Sequence, residues 1–178
     1  MNLQRAVCGM PGVKKSPLVA LFALLFVSLF STSCESTLDY GYYVGELNDQ
    51  TILQLFALSD EAATNLDFST YESFFAPNYV AVDAYDSNRT RIYRQDYLGM
   101  VKDIFDTAKE MMVQSMVMDI EYSATGQEAL VKIQEEEKVV QFGNTRHYTS
   151  LIDVDVAIED GWIFINKTTR TSMQVIEE

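Results

Sequence analysis

Two hydrophobic rhythms divide the chain. Between residues 48 and 112 apolar positions recur at helical spacing, and from 116 onward they recur every second residue. In the first part Asn48 or Asp49 caps a helix whose apolar positions include Ile52, Leu53, Phe56, Ala62, Ala63 and Leu66. Ser69 caps a second, short helix over 69–75. Pro77 ends it, because the residue before a proline resists the helical region. A strand is expected over 79–85, closed by the turn Asp86-Ser87-Asn88. The third helix has the sharpest pattern. Tyr97, Leu98, Val101, Ile104, Phe105, Ala108 and Met112 share one face, while Lys102, Asp103, Asp106 and Lys109 cover the other.

The second part reads as a meander. Met116, Met118, Ile120 and Tyr122 alternate, as do Ala129, Val131 and Ile133; Ile152, Val154, Val156 and Ile158 do so with Asp153 and Asp155 between them. Turns at Ala124-Thr125-Gly126, Gly143-Asn144 and Glu159-Asp160-Gly161 mark off four long strands, which short connections force to pair antiparallel. Helices with one apolar stripe must bury it on the apolar face of such a sheet. The expected architecture is α+β, with three N-terminal helices packed on a curved antiparallel sheet. It fills one domain, 48–178, without a repeat.

The N-terminal part has neither rhythm. Lys14 and Lys15 precede a continuous apolar run over 18–30, and Ser31-Thr32-Ser33-Cys34 follows. A basic start, a short greasy stretch and small residues before a cut site form an export signal. At 13 residues the run is short of the roughly 20 a membrane-crossing helix needs. We read 1–33 as a signal peptide cleaved before Cys34, with 34–47 as a tether bearing Tyr40, Tyr42 and Tyr43. The arrangement resembles a bacterial lipoprotein signal, although Ser31 stands where such signals usually carry Leu. That resemblance implies lipidation of Cys34 and anchoring to a membrane facing the periplasm; the alternative is a soluble secreted protein. With Cys8 removed, Cys34 would have no intramolecular disulfide partner, so packing alone must hold the fold. The chain carries a net charge of −13, and the segment before Cys34 holds bases but no acids. An acidic domain is a poor partner for nucleic acid.

Asn65-Leu66-Asp67, Phe74-Phe75-Ala76-Pro77-Asn78-Tyr79, Tyr97-Leu98 and Asp160-Gly161-Trp162-Ile163-Phe164 resemble the local signature of the NTF2-like superfamily, over about 48–176. That superfamily is the cone-shaped α+β fold of nuclear transport factor 2, SnoaL-type cyclases and ketosteroid isomerase. The resemblance implies a hollow at the open end of the bent sheet, and often dimerisation through the exposed sheet face. Here Lys132, Glu136, Asp153 and Asp155 place charge on that face, which weakens the case for a homodimer. Superfamily members include enzymes, binding modules and adaptors, so fold does not settle function.

The resemblance also offers a test for chemistry. Ketosteroid isomerases carry a proton-shuttling Asp on the strand after the second helix, and alignment on Phe75-Ala76 puts Asp83 there. An Asp in an apolar hollow would have a raised pKa and could move a proton beside a carbonyl. The isomerases' first-helix Tyr falls near Ser59, and no Tyr lies in that helix. Their late-strand acid could only be Asp153 or Asp155, which should face water. Family dehydratases pair His with His and Asp, and His147 is the only histidine. Glu135 and Glu137 share a strand face, but two carboxylates do not make a calcium site. No cofactor fingerprint and no metal site are evident. The leading expectation is a non-catalytic module for a small, partly apolar ligand or a protein partner. Its ligand-binding candidates are Phe56, Tyr79, Asp83, Tyr85, Phe105 and Met116. The alternative is a SnoaL-like lyase or isomerase using Asp83 as acid/base.

Overall fold

Asn48 opens helix α1 (Asp49–Thr64) with a reciprocal cap. Its side-chain oxygen accepts from the Thr51 backbone at 3.0 Å, and the Thr51 hydroxyl accepts from the Asn48 backbone at 2.9 Å. The computed structural model describes residues 41–84 and 88–177. The expected leader, Cys34 and Tyr85 therefore lie outside the described residues. Asp67, rather than Ser69, caps α2 (Phe68–Ser73), its carboxylate accepting from the Thr70 backbone at 3.1 Å. Helix α3 (Arg94–Thr107) stops five residues before Met112. Ala108 already pairs with Gln141, so the sheet ladder takes the backbone where helical periodicity alone would have continued.

The seven strands are β1 (Tyr42–Tyr43), β2 (Phe75–Asp83), β3 (Thr90–Tyr93), β4 (Ala108–Tyr122), β5 (Glu128–Gln141), β6 (Asn144–Glu159) and β7 (Trp162–Glu177). They form one sheet in the order β3-β2-β7-β6-β5-β4, with β1 added against β7. Every pairing is antiparallel except β2 on β7. Pro77 lies inside β2 rather than past the end of a helix, at the register shift between Phe75 and Val80, where a missing N–H does least harm. The hairpins β5–β6 and β6–β7 turn on Phe142-Gly143 and Asp160-Gly161, both pairs at positive φ. Such mirror-image turns match the right-handed twist of long strands.

A bulge in β4 overturns one sequence reading. The register slips between Val117 and Asp119, which makes Met118 the extra residue. One extra residue inverts the facing of everything beyond it. Val113 and Ser115 face inward before the slip, and Ile120 packs on the core after it. Met116 and Met118 therefore do not share a face with Ile120; they stand exposed at 50% and 59% on the outer side.

The core lies between α1 and the concave side of the sheet. Ile52, Leu55 and Phe56 meet Val131 and Ile133 of β5, Val154 and Val156 of β6, and Ile163 and Ile165 of β7. Arg94 ties α3 to the preceding elements, donating to the carbonyls of Glu72 at 3.1 Å and Phe75 at 3.3 Å. Among the described residues no helix is long and apolar enough to cross a membrane.

Leu55 is fully buried, so Leu55→Ala is expected to lower unfolding free energy by about 3 kcal/mol in urea titration. Met118→Ser on the outer face should stay within about 0.5 kcal/mol of the parent.

Candidate functional site

The bend of the sheet leaves a hollow of about 510 Å³ between its concave face, α1 and α3. Its floor is apolar: Phe56, Phe75, Phe105, Ile133, Val139 and Val154 line it. Its exposed lining residues are Met100 of α3 and Phe142, Asn144 and Arg146 of the β5–β6 hairpin, which mark the mouth. A pocket of this size and composition suits a small organic ligand.

Strand parity delivers the polar groups. On β5 the inward set runs Ala129, Val131, Ile133 and then continues as Glu135, Glu137 and Val139. Two carboxyl groups therefore enter a hollow whose other walls are largely apolar. Glu135 retains some accessible surface, but that surface opens on the hollow. Burial, then the neighbouring Glu137 and Asp60, push its carboxyl up to about 8, against the weaker opposing pull of Arg170. Burial likewise raises Glu137. Asp60 enters from α1 and accepts from the Ser115 backbone at 2.6 Å and from the Ser115 hydroxyl at 2.8 Å. Burial still raises its pKa in spite of those bonds.

Across the hollow, the parallel register of β2 and β7 sets Asp83 beside Arg170, and the two form an ion pair. Arg170 also donates to the Met173 sulfur at 3.0 Å, while its buried Nε has no acceptor among the described residues. Above this floor stands an aromatic wall. The rings of Tyr71, Phe75, Tyr79 and Tyr97 lie 4.8–5.6 Å apart in tilted or edge contacts. The Tyr71 and Tyr97 hydroxyls are 3.3 Å apart, and Tyr79 shares a 2.6 Å bond with Thr168. Burial raises all three phenols well above their ordinary range, so they stay neutral.

The candidates chosen from sequence scatter accordingly. Phe56, Asp83 and Phe105 line the hollow together. Tyr79 is 1% exposed and sits behind it, touching the lining through the Phe75 and Tyr97 rings and the Thr168 hydroxyl. Met116 lies on the far side of the sheet, where the bulge puts it. Ser59, near which the resemblance puts the isomerases' first-helix tyrosine, lines the hollow. Asp155 pairs with Lys167 at 3.0 Å, and neither it, Asp153 nor His147 reaches the hollow. Glu135 and Glu137 were legible as inward residues, since the β5 alternation runs straight through them. Arg170 gave no such signal, because a register shift near Ile152 breaks the parity of its strand pairing. Among the described residues no group of three or more His, Cys, Asp or Glu side chains is placed to hold a metal ion.

No family model and no curated protein matches the sequence. Solved structures do match the fold. A candidate scytalone dehydratase from Novosphingobium aromaticivorans superposes with a TM-score of 0.61 at 11% identity, over 70% of this chain and 85% of its own. A conserved protein from Planctomyces limnophilus gives 0.61 at 12%, over 73% and 97%. The hexachlorocyclohexane dehydrochlorinase LinA-type3 from Novosphingobium barchaimii gives 0.55 at 8%, over 71% and 88%. At such identities the likeness is one of fold: a mixed α+β domain whose curved, unclosed sheet matches the NTF2-like cone.

The raised carboxyl fixes a pH dependence. Glu135 holds its proton to about 8 when folded, whereas an unfolded chain releases it near the ordinary 4.5. Between those values the unfolded state is favoured as pH rises, so the group costs stability increasingly through that window and by a constant amount above it. Glu135→Gln is expected to be more stable than the parent at about pH 9, with the gap shrinking towards about pH 4. Chemical unfolding at both pH values reads the difference; an unchanged gap would mean that the carboxyl faces water.

Proposed function

We propose that the domain binds a small, partly apolar ligand in its cone without transforming it, and that it does so in a bacterial envelope, anchored through a lipid on Cys34. The hollow carries the binding half of this reading. It is roomy and largely apolar, with charged side chains set into its wall. The absence of transformation is supported by Asp83: its carboxylate is committed to Arg170 rather than free to shuttle a proton. The export signal and Cys34 support the address.

A second reading has one specific observation behind it. A carboxyl titrating at about 8 inside a largely apolar hollow is poised to exchange a proton near neutral pH. If the domain is a lyase or isomerase, as the names of the dehydratase and dehydrochlorinase neighbours suggest, its acid/base would be Glu135 rather than Asp83.

Native mass spectrometry of gently purified protein should show a small molecule bound to the domain. Repeated recovery of an empty domain that also rejects apolar dyes would refute the binding role. Intact mass of the membrane-extracted protein should match acylated Cys34 with 1–33 removed; retention of Met1 would refute cleavage. Turnover lost in Glu135→Gln but kept in Asp83→Asn would select the enzyme reading.

A further inference from the structure

We propose that the hollow selects an organic cation, a small amine whose ammonium group lies between Glu135 and Glu137 and whose apolar body rests on the aromatic wall. This rests on the binding reading above and specifies the ligand class.

The charges facing the hollow are nearly all answered from within the fold. Asp83 of β2 has Arg170 of β7. Asp60 of α1 has two hydrogen bonds from Ser115 of β4. Arg146 of β6, at the mouth, pairs with Glu177 at 2.9 Å. Burial keeps the phenols of Tyr71 on α2 and Tyr97 on α3 neutral, and Tyr148 on β6 also faces the hollow. Only Glu135 and Glu137 stand without a hydrogen bond or ion pair among the described residues. Two residues apart on one strand face, they point the same way into the hollow.

Each class of ligand meets this arrangement differently. An anion would confront both carboxyls, with Arg170 already engaged by Asp83. A neutral ligand would leave both carboxyls without a charged partner. A cation would supply that partner, in surroundings where opposite charges attract more strongly than in water. The ring faces nearby favour the same sign, since the face of an aromatic ring attracts cations. A second, independent sign of an unfilled site is the buried Arg170 Nε, a donor without an acceptor among the described residues. A buried donor left unpaired is costly, and a hydroxyl or carbonyl oxygen on the same ligand would remove that penalty.

Three probes of similar shape separate the possibilities: 2-phenylethylamine, 2-phenylethanol and 3-phenylpropanoate, titrated calorimetrically into the purified chain. The amine should bind at least about ten-fold tighter than the alcohol at about pH 8. Its affinity should rise from about pH 6 to 8, with protons released on binding, because the Glu135 carboxyl, held up to about 8, must ionise. The double variant Glu135→Gln, Glu137→Gln should lose that preference and still bind the alcohol. Equal or tighter binding of the alcohol or the carboxylate to the parent overturns the cation proposal while leaving the binding reading standing. Failure of all three, together with rejection of apolar dyes, overturns both.

Discussion

Alternation along the long strands is the constraint on which the rest of this domain depends. Every second side chain of β5 faces the concave side, and the alternation does not stop where the apolar residues stop. Ala129, Val131 and Ile133 complete the packing with α1, and the next two inward positions are Glu135 and Glu137. The bend of the sheet leaves a hollow between its concave face, α1 and α3. A carboxyl that packing would otherwise forbid can then be accommodated in a hollow. The same alternation, interrupted by one bulge, sends Met116 and Met118 to the opposite side.

The electrostatics of the hollow follow from which of its charges found partners. Parallel pairing of β2 with β7 brings Asp83 and Arg170 together and quiets both. The packing of α1 on β4 gives Asp60 two hydrogen bonds from Ser115. Nothing on β4 or β6 answers Glu135: its cross-strand neighbours are Ser115 and Ser150. Burial, with Glu137 and Asp60 adding to it, outweighs the pull of Arg170, and its carboxyl moves up to about 8. That position, rather than Asp83, is where the fold places a group able to respond to a ligand or a proton.

Much of this was readable in the chain. The reciprocal cap at Asn48, the mirror-image turns at Gly143 and Gly161 and the inward set of β6 are local features, and local chemistry settles them. The end of α3 was not, because the helical spacing of Ala108 and Met112 is also compatible with a strand that begins at Ala108. The Met118 bulge was not, because a bulge is a property of two strands and a single strand's alternation carries no mark of it. The pairing of Asp83 with Arg170 joins residues 87 positions apart through a parallel register, which no pattern within either segment announces. Glu135 and Glu137 are the instructive case. Their shared face could be read, but the side of the sheet that face looks to is decided only by continuing the apolar count from Val131.

The central claim is that the Glu135 carboxyl looks into a hollow rather than into water. Carbon-detected NMR titration of side-chain carboxyls, with Glu135 assigned by substitution, measures this directly. The account predicts a midpoint at about 8 for that residue. A midpoint in the ordinary carboxylate range, about 4.3, would contradict it.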